Sequence, residues 1–270
     1  MASVTAVADQ VRPQRNRPGR TRRRVRIPLL RLASPVAIVL IWQLASSTGL
    51  LPSRLLASPV AVVRAAGELI ANGELTSALG ISVLRAFLGF LIGAALGGLF
   101  GTLAGLTKAG DIGIDPPMQA LRTLPHLGMI PLFITWFGVG EAPKIAIVAF
   151  GVALPIYLHV YAGIRGVDRK LLEATRVLGF SRAQRLRHVV FPASTEHVMV
   201  GLRLAFASAW LSLIVGEQIA ADTGIGYLIN NARDFLRIDV ILVGLAVYAI
   251  LGLLTDAGVR LIERRVLRWR

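Results

Sequence analysis

Six apolar stretches of about 20 residues, roughly the length that crosses a bilayer as helix, recur along the chain with short polar or basic segments between them. They fall at about 33–51, 85–106, 117–138, 143–163, 198–218 and 238–258, and they predict an all-α membrane protein with six transmembrane helices. Residues 52–84 are not apolar enough to cross, yet Val60, Val63, Ala66, Leu69 and Ile70 recur near helical spacing. That spacing predicts an amphipathic helix lying outside, on the membrane surface. The chain divides accordingly into a basic tail at 1–32, a first span with its external segment at 33–84, a core at 85–258 with an inner loop at 164–197, and a second basic tail at 259–270.

Composition supports the pattern. Apolar residues make up 54% of the chain and charged residues 17%, below the roughly 25% of an average soluble domain, which excludes an ordinary soluble enzyme. Charge then orients the spans. Lys and Arg number 30 against 15 Asp and Glu, and nine arginines, including Arg22, Arg23 and Arg24, crowd residues 1–31. That tail lacks the apolar periodicity needed to order it and is expected to be disordered. With the tail in the cytoplasm, the inner segments 1–31, 107–116, 164–197 and 259–270 hold 22 of the 30 positive residues, so the positive-inside bias places both termini there. Arg264, Arg265, Arg268 and Arg270 then form a basic stop at the lipid headgroups. The outer loop from Glu217 to Asp239 collects acids instead: Glu217, Asp222, Asp234 and Asp239. The positives sit at the ends of apolar runs with few aromatics to stack bases, which argues against a nucleic-acid partner.

Catalytic chemistry is poorly represented. The chain has no cysteine, so thiol catalysis and sulfur-ligated metals are excluded. His126, His159, His188 and His197 show no i, i+4 pair and no adjacent carboxylate, which predicts no metal site. There is no nucleophile elbow, and acids within the spans are scarce, Asp256 lying near the inner end of its span. A membrane-embedded enzyme or an ion-coupled autonomous transporter therefore lacks its tools. No GxxxxGK[ST] phosphate loop occurs and no segment is long enough for an ATPase domain, so any ATP that drives this protein is hydrolysed on another chain. No catalytic residue and no cofactor are expected.

Three constellations remain. Gly89, Gly93, Gly97, Gly101 and Gly105 recur every four residues and lay one small-residue stripe along the second span. The stripe suits close helix packing inside one subunit, a subunit–subunit face or a solute-lining face. Pro116, Pro117, Pro125, Pro131 and Pro155 interrupt the third and fourth spans, as static kinks or as the broken helices of a moving pathway. The inner loop predicts a short amphipathic helix over Leu171–Leu178 capped by Gly179, a second helix capped by Ser181, and a break at Pro192. Two short helices at an angle would form a rigid elbow, suited to passing a push from a soluble partner to the spans.

This loop resembles the signature of the permease subunits of binding-protein-dependent ATP-binding-cassette importers: Glu-Ala-Ala, three residues, Gly, nine residues, Ile-x-Leu-Pro. Glu173, Ala174, Thr175, Gly179, Val189, Phe191 and Pro192 occupy its positions at the same spacing, with Thr175, Val189 and Phe191 departing conservatively. The resemblance runs from about Leu51 to Leu267 and points to the nitrate, sulfonate and taurine branch. Ile130 to Gly140, Leu154 to Tyr157, Gly163 to Asp168 and Gly224 to Phe235 look most like aliphatic-sulfonate permeases, with taurine, nitrate and bicarbonate relatives sharing much of the pattern.

The resemblance implies a type I importer permease fold with a cytoplasmic coupling-helix loop at 164–197, in a bacterial inner membrane. It implies two permease copies over two ATPase subunits and an extracytoplasmic solute-binding protein as partners. Glu173 would be the polar anchor in the ATPase groove, Ala174 the close-contact position, Gly179 the turn and Pro192 the break. For an anionic solute, Arg203, Ser208, Trp210 and Ser212 are the candidate pathway residues of the fifth span; alternatively Arg203 snorkels to the cytoplasm and the serines bond their own helix. Arg85 and Arg122 read as interfacial arginines.

Overall fold

The computed structural model describes residues 27–267, with side chains from Ala33 on except that of Ala220. The expected basic tail falls almost wholly outside these residues, as do Arg268 and Arg270. Twelve α-helices follow among the described residues: α1 Ile27–Ser47, α2 Pro59–Ala71, α3 Glu74–Leu106, α4 Lys108–Gly113, α5 Asp115–Thr123, α6 Ile130–Phe137, α7 Glu141–Arg165, α8 Arg169–Val177, α9 Arg182–Arg185, α10 Phe191–Ala220, α11 Ile225–Asp234 and α12 Ile238–Val266. Four helical runs are long and apolar enough to cross a membrane: α3, α7, α12 and the continuous run Arg182–Ile219 that carries α10. Two shorter apolar helices accompany them, Ala33–Ser47 and His126–Phe137.

The expected third span, 117–138, is broken into α5, a 3₁₀ turn at His126–Met129, and α6. Proline accounts for the pieces: Pro116 and Pro131 sit in the first turns of α5 and α6, where a missing N–H costs nothing, and Pro125 directly precedes the 3₁₀ turn. Pro155 instead lies inside an unbroken α7. The second span begins at Glu74, eleven residues before the expected 85, directly after Gly73. Helix α2 does form within residues 52–84, the segment expected to lie outside, but its buried residues, Ala65 and Leu69, pack with Leu75, Ala232, Val240 and Val243 of α3, α11 and α12. Val60, Val63 and Ile70, expected on the face toward the membrane surface, are exposed in the isolated chain.

Helix α7 is the axis of the bundle, with α3 along one side and α10 along the other. Its Ile147, Val148, Val152 and Ile156 form the main core with Ala86 of α3, Phe133 of α6, and Ala205, Ala209 and Leu213 of α10. The glycine stripe makes the first contact possible. A methyl group at Gly93 or Gly97 would lie 2.3 Å from the carbonyl oxygen of Ala149 or Ala153, and Gly89, Gly101 and Gly105 approach Val148, Val160 and Ile164 almost as closely. The second contact uses the same device: a Cβ at Gly151 of α7 would meet Ser212 of α10, and one at Gly201 of α10 would meet His159. Short helices α4 and α5 are tied to α7 by polar bonds, with Asp111 accepting from Tyr161 at 2.7 Å and Asp115 from Tyr157 at 2.8 Å. Outward faces carry Phe87, Leu91, Leu253 and Leu254, exposed in the isolated chain as lipid contact requires.

Gly97→Ala is expected to destabilise the purified protein in detergent by about 1–3 kcal/mol, since α3 and α7 must part to admit the methyl. Gly98→Ala, one residue on and facing open space, should leave the thermal midpoint unchanged or raise it slightly.

Candidate functional site

At one end of the bundle, the loop after α7 forms an elbow whose geometry follows from local rules. The Asp168 side chain accepts the backbone N–H of Lys170 and caps α8. Helix α8 ends in a Schellman arrangement: Phe180 N–H donates to the Thr175 carbonyl and Gly179 N–H to that of Arg176, with Gly179 at φ +77°. Ser181 then starts α9 with a reciprocal capping box, its hydroxyl accepting from Gln184 N–H while the Gln184 side chain accepts from Ser181 N–H. Val189 and Val190 pack with Ile164 and Val167, and Leu172 and Leu186 close this small core. The elbow is thereby fixed to the end of α7.

The signature residues divide between two tasks. Thr175 and Val189 are buried and hold the elbow together, whereas Glu173, Ala174, Gly179 and Phe191 are exposed, and Pro192 is half-buried. Beside them Leu171, Val177, Leu178 and Phe180 present an apolar face, Val177 being 89% exposed. Pro192 does not break the chain as expected. A π turn at Leu186–Val190 joins α9 to α10 without interruption, Phe191 N–H reaching back to the Leu186 carbonyl. The widened turn accommodates Pro192, which has no N–H to continue the regular ladder.

The four pathway candidates of α10 do not meet in one space. Arg203 pairs with Glu263 at 2.8 Å and Asp256 at 3.3 Å, both on α12. Trp210 donates to Thr255 of α12 at 3.3 Å and lies edge-on to Tyr248. Ser208 and Ser212 face Gly151 of α7, and the buried Ser212 hydroxyl has no hydrogen-bond partner among the described residues.

At the other end of the bundle lies a polar centre that the sequence reading missed. Arg85, read as interfacial, is 2% exposed, and Glu217, read as an acid of an outer loop, is fully buried in the last turns of α10. Every Arg85 donor is used. Nε and Nη2 form a fork on the Glu141 carboxylate at 2.5 and 2.7 Å, Nη1 reaches Glu217 and the Thr223 carbonyl at 2.7 Å each, and Nη2 also reaches the Thr223 hydroxyl at 2.9 Å. Glu217 accepts in addition from Ser82, Tyr248 and the Gly226 N–H, while Ser82 accepts from Ile225 N–H. Two N–H groups at the start of α11 thus point at this hydroxyl and carboxylate, a favourable placement for negative charge. Lys144, also 2% exposed, adds a 3.0 Å pair to Glu141. One acid, Glu217, is therefore buried within the bundle, countered by the buried Arg85. Among the described residues no group of His, Asp and Glu could hold a metal ion.

Breaking one side of this network should be costly. Arg85→Met is expected to lower stability by about 3–5 kcal/mol by stranding the Glu217 charge, and adding Glu217→Gln should recover part of the loss. Thermal unfolding of the single and double variants in detergent checks the non-additivity.

Comparison with known proteins agrees with this architecture. Residues 97–268 match the family described as the binding-protein-dependent transport system inner membrane component. The chain is 48% identical over 244 residues to the permease SsuC of Escherichia coli (strain K12), covering 89% of this chain and 93% of that protein. It is 44% identical over 239 residues to SsuC of Bacillus subtilis (strain 168), covering 88% and 87%; the names of both assign them to aliphatic sulfonate transport. In fold it matches an amino acid ABC transporter solved with histidines, with a TM-score of 0.61 at 20% identity over 74% of this chain and 97% of that one. A multi-pass bundle with a capped elbow, and relatives covering nearly its whole length, together place the assignment beyond the short signature alone: the chain belongs to the inner membrane component family of binding-protein-dependent transport systems.

Proposed function

We propose that this permease imports aliphatic sulfonates, with ATP hydrolysed on a separate subunit. The observation that carries the reading is the elbow itself. It is rigidly capped, anchored on α7, and exposes Glu173, Ala174 and an apolar face at the positions where the family signature falls. Relatives named for aliphatic sulfonate transport, alike over almost the whole chain, support the choice of solute.

In this reading two copies of the chain sit over two ATPase subunits, with the elbow and both termini in the cytoplasm. The Arg85 end faces the extracytoplasmic solute-binding protein. Leu171, Val177, Leu178 and Phe180 enter an ATPase groove, and Glu173 anchors its polar rim. Closure of the ATPase pair on ATP draws the elbows together, and the continuous helical run from Arg182 to Ile219 carries that displacement into the core. Nucleotide shifts the equilibrium between inward and outward states only as far as the ATPase closes differently on each.

Reconstitution tests this directly. The chain purified with its ATPase, placed in liposomes with the solute-binding protein, should take up alkanesulfonates in an ATP-dependent manner, and taurine and nitrate less well. Gly179→Val forces a β-branched residue into φ +77° and should rotate α8 against α9. That variant is expected to reach the membrane yet lose binding-protein-stimulated ATP hydrolysis at least tenfold. Normal stimulation in Gly179→Val would remove the elbow from the mechanism, and uptake of nitrate in preference to sulfonates would move the solute.

A further inference from the structure

The polar centre at Arg85 has two unequal halves. Glu217 is sealed inside and bonded to three helices besides its own, so its pairing with Arg85 belongs to the fold. Glu141 is different. Its side chain is 55% exposed, although both cations it touches, Arg85 and Lys144, are 2% exposed. The outer face of the two buried cations is thus covered chiefly by the Glu141 carboxylate, which already stands largely in water, with the 91% exposed Asp222 at 4.0 Å from Lys144 as the one further acid there.

From this geometry we infer that Arg85 and Lys144 form an anion-binding subsite for the sulfonate headgroup, with the Glu141 carboxylate occupying its place until solute arrives. A guanidinium presents two parallel donors that fit any anion with oxygens spaced like a carboxylate's, and a sulfonate offers such a pair plus a third oxygen. Here the two parallel donors are Nε and Nη2, and Lys144 Nζ supplies a third on the same carboxylate. A buried cation cannot lose its counter-ion without a large penalty, so an empty site needs a resident anion. A half-exposed carboxylate that swings into water keeps its hydration, which makes the exchange of one anion for another nearly balanced. Through the exchange Arg85 retains Glu217 and Thr223, and the fold keeps its inner half intact.

The surroundings fit the rest of an alkanesulfonate. An apolar cavity of about 600 Å³ lies between α3, α5, α6 and α7 and is lined by Ile92, Leu121, Phe133, Ala142, Ile145 and Phe150, among others. Arg85, Glu141 and Lys144 do not themselves line it, but Ala142 and Ile145 directly follow Glu141 and Lys144 in the chain, and Ile92 lies two turns along α3 from Arg85. The subsite would hold the charge while this cavity takes the alkyl chain.

The inference rests on the sulfonate-import reading and deepens it, so the test separates the two. The permease–ATPase complex is first shown to import hexanesulfonate in proteoliposomes, and equilibrium binding of radiolabelled hexanesulfonate is then measured on the same complex without the solute-binding protein. Saturable binding is expected, competed by ethanesulfonate more weakly by about fourfold per methylene removed, and not by hexanol. Lys144→Met should weaken binding about tenfold. Glu141→Gln, which weakens the resident competitor while preserving its shape, should tighten binding about threefold. Opposite shifts from two neighbours are not what general damage to the fold produces. Isotherms that both variants leave unchanged, or a complex that imports hexanesulfonate with no saturable binding of its own, would overturn the subsite and leave the importer standing. A complex that imports no sulfonate would overturn the reading beneath it.

Discussion

Arg85 lies buried in an apolar bundle because two carboxylates, a carbonyl and a hydroxyl take all five of its N–H donors. That requirement fixes more than one side chain. Glu217 must sit at the end of α10, Ser82 one turn before Arg85 on α3, Tyr248 on α12, and the first N–H groups of α11 must turn inward. The four long helices and α11 thus meet at one neutralised centre, and none of them can shift alone without leaving a buried charge or donor unpaired.

Away from that centre, the helices are held by close approach. Glycines on α3, α7 and α10 bring the backbones together along the bundle, which matters in lipid, where apolar side chains alone gain little by leaving the hydrocarbon. Pinned by ions at one end and packed closely below, the three helices are suited to moving as one body. The elbow, seated on its small core at the other end of α7 and continuous with α10, is where such a body can be pushed.

The sequence disclosed what depends on near neighbours. The elbow was legible because Gly179 and Ser181 act on backbone groups within a few residues, and the glycine stripe because its period is that of a helix. The single outright miss in that loop, the break at Pro192, came from treating a proline as an end when a π turn can absorb it. Pro125 and the paired prolines ahead of it were visible, but whether they kink or divide a span depends on what surrounds them. Arg85 and Glu217 were illegible for a different reason: 132 residues separate them, and a charge near the edge of an apolar run reads as a boundary until its partner is known. The available signal was that α3 stays apolar on both sides of Arg85, which called for a buried counter-charge elsewhere in the chain.

The most direct test of the account is where the ATPase sits. Because the chain has no cysteine, Val177→Cys on the elbow and Val139→Cys at the opposite end of the bundle, each replacing a residue 89% exposed, can carry a thiol-attached photo-crosslinker one at a time. The account predicts a covalent product with the ATPase subunit from position 177 and none from position 139. A product from position 139, or from neither position in a complex that still hydrolyses ATP, would contradict it.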